Sequence, residues 1–333
     1  MIRTLLLTAC STLGAAAWFV QPEPTPMRAA AQALVAALDD DDRARAVFPF
    51  HSAQRLDWHY VPRERGGVPL RSLGERERRA LRALLRTVLS ADGERTVDEI
   101  IALEHVLRER ESTPERPATW RDAEAYSLAI FGDPASPDPW GWRFEGHHVV
   151  LQFSEVEGEL TFTPHFLGTN PARHERGGRV VEPLAREQAL GREVAAALEG
   201  TLAQRARVDG PVPGDVLRGP GRDERFDEAE GVALAELPEA LRGRVTDLLG
   251  VYVGRFEGPA RVRAEELVSD LSALRFLWLG SAEPGRPHYY RLRSPRFTLE
   301  FQNSQNDVNH VHTLWREHAG DFGGPSAAAE GGR

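Results

Sequence analysis

Two histidines near the end of the chain have the spacing of a metal-binding pair. His310 and His312 are separated by one residue in a segment predicted to be a β-strand. Because side chains alternate along a strand, both imidazoles lie on one face, close enough to bind one ion. The preceding turn is expected at residues 304–306, which places Glu300 opposite His310 at about 5 Å. Two histidines and a carboxylate are a ligand set of catalytic zinc and non-haem iron.

This prediction depends on the strand register. A shift of the pairing by two residues would bring Gln302 to the histidines in place of Glu300. A shift by one residue would turn Glu300 to the other face and remove the carboxylate from the site. The alternative to a metal site is a pair of hydrogen-bonded histidines on a sheet face.

A second pair of histidines, His147 and His148, lies in the first half of the chain. Adjacent residues on a strand face opposite sides, so both can bind one ion only if the chain turns there. Gly146 would permit such a turn. We therefore predict His147, His148, His310 and His312 as metal ligands.

Other residue types near these pairs are suited to substrate binding. Trp140 and Trp142 would wall a pocket, and the forked guanidinium of Arg143 would bind a substrate carboxylate. Arg143 and Glu300, the latter as a metal ligand or general base, are the predicted catalytic residues. Arg143 recurs as Arg291 in the second half, which equally favours a structural ion pair.

Three residues near His310 and His312 in the sequence complete the predicted site. Arg316 is a further candidate for substrate binding. Asn309 and Asp321 are candidates for holding the ligand side chains in place.

The elements that position these residues occur twice. Residues 126–153 align without a gap with residues 274–301, so that Gly132, Arg143 and Leu151 match Gly280, Arg291 and Leu299. Apolar spacing predicts helices at 27–47, 73–90, 96–109, 187–207, 236–254 and 262–273. It predicts strands at 126–131, 141–145, 148–156, 160–167, 274–279, 288–293, 296–302 and 307–315, with a tight turn at Gly158.

Runs of helices followed by runs of strands predict an α+β fold. We expect an internal duplication in which each half is a helix group followed by an antiparallel β meander. The predicted segments are a signal peptide or anchor with its spacer at 1–26, a first repeat at 27–170 and a linker at 171–186. A second repeat at 187–322 and a disordered tail at 323–333 follow.

The composition excludes several classes of chemistry. All 41 basic residues are arginine, so lysine-based catalysis is excluded, and Cys10 is the only cysteine, which excludes an internal disulfide. The net charge of −9 and the lack of a basic stripe argue against a nucleic-acid partner.

Residues 1–20 have one arginine followed by an apolar run, as an export signal or an N-terminal anchor does. We therefore expect a periplasmic, secreted or membrane-anchored protein whose membrane contact is limited to this segment. Cys10 also lies in a sequence that resembles a lipoprotein cleavage box. The alternative is a buried N-terminal helix.

Three motifs together resemble a bacterial and fungal domain-of-unknown-function family, the one numbered thirty-five hundred. They are WGWRFEGHH at 140–148, FLGTNP at 166–171, and QNDVNHVHTLWR at 305–316 followed by DFG at 321–323. The resemblance covers residues 27–323. It brings no activity with it, but it implies that the two histidine clusters belong to one domain family and could share a site.

The leading interpretation is an exported metal-dependent enzyme, a hydrolase or an oxygenase, with zinc or iron as cofactor and a small molecule as substrate. The first alternative is a non-catalytic binding module of the cell envelope for a ligand or a metal. The second is a structural protein in which the histidines are hydrogen-bonded core groups.

Overall fold

A computed structural model describes residues 25–222 and 226–324 of the chain. The expected signal segment, apart from its last two residues, lies outside the described residues, as do Cys10 and most of the expected tail. Among the described residues, every helix is too short or too polar to cross a membrane.

Eight helices lie in two groups along the described chain. The first helix begins where Thr25 accepts a hydrogen bond from the backbone N–H of Arg28, and Pro26 occupies its first turn. The first group comprises α1 (Pro26–Ala37), α2 (Asp40–Ala46), α3 (Glu75–Leu85) and α4 (Ala91–Glu111). The second comprises α5 (Ala185–Ala196), α6 (Gly200–Ala206), α7 (Glu239–Val253) and α8 (Gly258–Leu267).

The strands form one large, mostly antiparallel sheet with the order β1-β3-β4-β5-β7-β14-β13-β12-β11-β10. Its members from the first half of the chain are β1 (Val47–Phe48), β2 (Val68–Pro69), β3 (Ser127–Phe131), β4 (Trp140–Gly146), β5 (Val149–Val156), β6 (Glu159–Thr161) and β7 (His165–Thr169). Those from the second half are β10 (Val232–Ala233), β11 (Arg275–Gly280), β12 (His288–Arg293), β13 (Phe297–Gln305) and β14 (His310–Glu317). A separate hairpin consists of β8 (His174–Arg176) and β9 (Arg179–Val181).

The two faces of this sheet have different coverings. Leu151, Phe153 and Trp315 belong to the main apolar core, which also contains the buried side chains of the helices. On the opposite face, Val150 and Leu314 pack against Trp58 of a long loop. The loop at 49–67 and the described residues of the loop at 209–231, which are 209–222 and 226–231, cover this second face. We call them the first and second covering loops.

The α+β class and the mostly antiparallel sheet are as predicted, and Gly158 forms the expected tight turn with a φ of 80°. Three predicted elements were too long. The helix at 27–47 is divided into α1 and α2, because Asp39 begins a new helix by accepting a hydrogen bond from Asp42. The helix at 187–207 is divided into α5 and α6. The strand at 160–167 is interrupted at Pro164, which has no N–H to donate, and becomes β6 and β7.

Candidate metal centre

Three histidines from both halves of the chain converge on one point. The Nε2 atom of His148 lies 3.0 Å from that of His310 and 3.2 Å from that of His312. One ligand atom from each ring lies within 4.8 Å of the other two. These three residues, the histidine triad, could therefore bind a metal ion.

The turn between β4 and β5 delivers His148 to the triad. His148 has a φ of 66°, in the left-handed region, and the chain reverses direction at His147 and His148. The backbone N–H of His148 donates to the carbonyl of Tyr60 at 3.0 Å, and its carbonyl accepts from the N–H of Gly168 at 2.8 Å. The predicted turn at the histidines is present. Gly146 was expected to permit that turn, but its role is to make room for Tyr126, because a Cβ at Gly146 would lie 2.2 Å from the ring of Tyr126.

Gly168 makes room for the rings at the centre of the sheet. It pairs with His312 across β7 and β14. A Cβ at this position would lie 2.8 Å from Cδ2 of His312 and 3.0 Å from Cδ2 of His148. Because carbon atoms normally keep at least about 3.5 Å apart, any side chain here would displace two rings of the triad.

A carboxylate from the second covering loop orients His312. Nδ1 of His312 lies 2.6 Å from Oδ1 of Asp215. Oδ2 of Asp215 accepts a hydrogen bond from Tyr60 at 3.0 Å and forms an ion pair with Arg222 at 2.7 Å. Burial opposes ionisation of Asp215, but the hydrogen bond and charge of His312, with the charge of Arg222, lower its pKa to about 2. Carboxylates that accept from the second nitrogen of a metal-binding histidine are typical of zinc sites.

Burial keeps two of the ligand rings neutral. It lowers the pKa of His310 to about 3, and the neighbouring imidazoles act in the same direction. Burial also lowers the pKa of His148 well below its ordinary value, again assisted by the nearby rings. Neutral imidazole is the form that binds metals, so protons do not compete with a cation for these nitrogens at neutral pH.

A cation satisfies the converging nitrogens better than protons do. Because the carboxylate of Asp215 can only accept, Nδ1 of His312 donates to it, and in its neutral form the ring presents a lone pair at Nε2. One N–H on Nε2 of His148 can point at His310 or at His312 but not at both. In a tetrahedral site with zinc–nitrogen bonds of 2.0–2.1 Å, neighbouring nitrogens lie about 3.3 Å apart. The two distances from His148 are close to this value, and the ligand atoms of His310 and His312 lie within 4.8 Å of each other.

The family of the chain is known from its sequence. The model of the family described as protein of unknown function (DUF3500) matches residues 22–324. The chain belongs to this family. The resemblance that the motifs indicated is thus confirmed, and the triad lies within the matched residues. No curated protein and no solved structure matches the chain.

His147 is the predicted ligand that the structure does not bring into the triad. Its Nδ1 is hydrogen-bonded to Glu104, and Nη1 of Arg121 lies 3.1 Å from both of its ring nitrogens. The ring stacks on that of His148 with 3.7 Å between the centroids.

The expected pairing of Glu300 with His310 is wrong. The turn is formed by Asn306, Asp307 and Val308, all with φ near 50–60°, and not by residues 304–306. Glu300 therefore pairs with Leu314, Gln302 pairs with His312, and Gln305 pairs with His310. The pairing at His312 is shifted by four residues from the expected one, so the alternative shift by two does not occur either.

Glu300 contacts the second covering loop. Its carboxylate accepts hydrogen bonds from the backbone N–H groups of Leu217 and Arg218, at 2.9 and 3.2 Å, and from Tyr289 at 3.0 Å. It thereby holds the segment that carries Asp215.

The aromatic residues and the arginine of β4 do not lie against the triad. Trp140 and Trp142 are fully buried in the main core, and Trp142 stacks on Phe153 with 4.6 Å between ring centroids. Arg143 forms an ion pair with Glu145 at 3.0 Å and donates to the carbonyls of residues 54 and 55 in the first covering loop. For Arg143 the geometry agrees with the structural alternative.

The remaining predicted residues hold backbone near the site. Arg316 donates to the carbonyl of Arg218 at 2.7 Å and forms an ion pair with Asp321. Asn309 accepts from the backbone N–H of Arg173 at 3.0 Å through its side chain. These contacts fix the chain on both sides of the strand that carries His310 and His312.

Sequence reasoning did not identify Asp215, Glu104 or Gly168. Asp215 lies in a loop rich in proline and glycine and carries no local pattern. Glu104 lies on α4 beside the apolar Leu103 and Leu107, and a buried glutamate there was a weak signal that could have been noticed. The FLGTNP motif contains Gly168, but its role depends on a contact with distant rings.

Proposed function

We propose that this protein is a zinc-dependent enzyme that activates water to hydrolyse a small molecule. The observation that carries this proposal is the convergence of three imidazole Nε2 atoms, two of them belonging to a His-x-His pair on one strand. Three protein ligands are typical of catalytic zinc, because a fourth position is left for water or substrate. Three neutral ligands leave the full charge of the ion in place, and zinc then lowers the pKa of a bound water towards neutrality.

The ligand types favour zinc over iron. Non-haem iron oxygenases typically use two histidines and one carboxylate. Among the described residues, the group that could hold an ion contains histidines alone, and Glu300 is engaged with the second covering loop. The His312–Asp215 hydrogen bond also matches the carboxylate–histidine–zinc arrangement.

A second candidate function is a non-catalytic module that binds a metal or another ligand. The observation in its favour is the burial of the triad, whose members are only 3%, 9% and 4% exposed for His148, His310 and His312. A metal site without catalytic function is closed, whereas a catalytic one must admit substrate.

Elemental analysis tests the metal centre itself. The purified full-length protein is compared with the double variant His310→Ala/His312→Ala and with the control His105→Ala, which removes an exposed histidine of α4. We expect close to one zinc per chain in the wild type and the control, and none in the double variant. Absence of bound metal in the wild type after incubation with zinc, iron, copper and nickel salts would refute the proposal.

Substitution with cobalt(II) separates the enzyme from the binding module. The visible absorption of bound cobalt(II) reports its coordination number. The spectrum responds to added azide only when a coordination position of the metal is open. A shift of the spectrum with azide supports the enzyme, and an unchanged spectrum supports the closed binding module.

We also propose that the two halves arose by internal duplication. The sheet order is symmetrical about the β7–β14 pair, and each half runs from a short strand through two helices to an antiparallel meander. Arg143 and Arg291, which align in the sequence, both donate to carbonyl groups of the covering loop in their own half. Because His148 comes from one half and His310 with His312 from the other, the proposed site requires both.

A further inference from the structure

His147 lies against the triad without belonging to it, and its ring has two charged partners. Since a carboxylate can only accept, Nδ1–H of His147 donates to Glu104. Nη1 of Arg121 lies 3.1 Å from both ring nitrogens. The ring is thus held between an anion and a cation.

Both partners of His147 are themselves fixed. Glu104 is 2% exposed, and its second oxygen accepts from the backbone N–H of Asp122 at 3.1 Å. Arg121 is bound by Glu111 through two parallel hydrogen bonds of 2.8 and 2.9 Å. A continuous chain of polar contacts therefore runs from α4 and the following loop to the ring of His147.

The ring of His148 needs such support. Rotation about its terminal torsion is broad, so the rotamer alone does not fix the plane of the ring. Gly168, which lies close to the ring, has no side chain to hold it. The ring of His147 stacks on it, with 3.7 Å between the centroids and 28° between the planes.

We propose that Glu104, His147 and Arg121 form a positioning set that fixes the ring of His148 in the orientation required to bind metal. This inference rests on the proposed metal centre and assigns residues to it that do not touch the ion. Removal of groups that orient a metal ligand typically weakens metal binding about 10–100-fold. The three residues act as a unit, so removing two of them costs no more than removing one.

Zinc affinity, measured by competition with a chromophoric chelator, tests the set. We expect Glu104→Ala, His147→Ala and the double variant each to weaken zinc binding by about 10–100-fold, with no additivity. Glu104→Gln keeps the shape of the side chain and should weaken zinc binding less than Glu104→Ala. This variant controls for loss of zinc binding that results from a folding defect. Glu99→Ala, on the same helix and with Arg95 as its ion-pair partner at 3.8 Å, is the matched control and should bind zinc like the wild type.

A rescue variant distinguishes positioning from ligation and from general destabilisation. Glu104→Leu/His147→Phe replaces the polar pair by apolar groups and keeps a flat ring against His148. We expect it to recover most of the affinity lost in His147→Ala and to restore the cobalt(II) absorption spectrum of the wild type.

Two results would overturn the inference. One is zinc binding by Glu104→Ala equal to that of the Glu99→Ala control. The other is complete loss of zinc in the rescue variant, as for His310→Ala, because His147 would then be a ligand. If the wild type itself binds no metal, the proposed function fails and the inference falls with it, whereas normal binding by the wild type and all variants refutes the inference alone.

Discussion

Gly168 offers the most direct test of the triad geometry. It lies in β7, and its φ is not among the positive values, so alanine introduces no backbone penalty there. Its added methyl group would lie 2.8 Å from His312 and 3.0 Å from His148. To reach an ordinary carbon contact of about 3.5 Å, the two rings must move away by about 0.5–0.7 Å.

This displacement is large for a metal site. Bond lengths in zinc sites vary by only about 0.2 Å, so the shifted rings cannot keep both nitrogens at bonding distance without moving the backbone. Overpacking of this kind costs about 1–3 kcal/mol. If this free-energy cost falls on the metal-bound state, Gly168→Ala weakens zinc binding by about 10–100-fold, because about 1.4 kcal/mol corresponds to a factor of ten in affinity.

The assay is a competition titration of purified protein against a chromophoric zinc chelator, with thermal unfolding in EDTA to measure the apoprotein. The control is Gly250→Ala in α7, where an added Cβ has no neighbour within 4 Å. We expect the control to bind zinc normally and to unfold at the same or a higher temperature. Equal zinc affinity of Gly168→Ala and the wild type would refute the placement of the two rings.

Three further predictions concern other parts of the molecule. Asp215→Asn keeps the shape of the group that orients His312 but removes its charge, so zinc affinity should fall about tenfold or more in the same titration; unchanged affinity would contradict its role. Burial lowers the pKa of His165 to about 3, so the unfolded chain takes up a proton below about pH 6.5 that the folded chain does not. The free energy of unfolding should therefore fall as the pH falls from 6.5 towards 3, and by less in His165→Gln, as urea titrations at several pH values would show; parallel pH profiles would exclude this cause. Trp142→Ala, which opens a cavity in the main core, should reduce the free energy of unfolding by about 3–5 kcal/mol and leave the zinc affinity of the folded protein unchanged. A loss of zinc affinity without a loss of stability would show that Trp142 contributes to the metal site.

The helices and strands were largely readable from apolar spacing, because one side of each element faces the core. The α+β class follows from these patterns, and so does the pairing of the strands within each meander. The errors occurred where a single residue ends an element, as at Pro164, or where several non-glycine residues adopt left-handed conformations in succession. The turn at Asn306, Asp307 and Val308 is of this second kind, and it shifted the register and removed Glu300 from its expected place.

By itself, the sequence determined the local geometry of the histidines that carry the candidate chemistry. The pair His310 and His312 shares a face because strand side chains alternate, and His147 with His148 requires a turn that the chain does make. Such conclusions rest on local geometry, which depends on neighbouring residues alone.

Tertiary structure decided which of these residues meet and what holds them. His148 joins the pair because β7 and β14 bring the two halves of the chain together. His147 stays outside it, with its Nδ1 hydrogen-bonded to Glu104 and Arg121 against its ring. Asp215 reaches His312 from a covering loop almost a hundred residues away. Contacts of this range are fixed by the packing of the whole sheet and its loops, and no local pattern of residues encodes them.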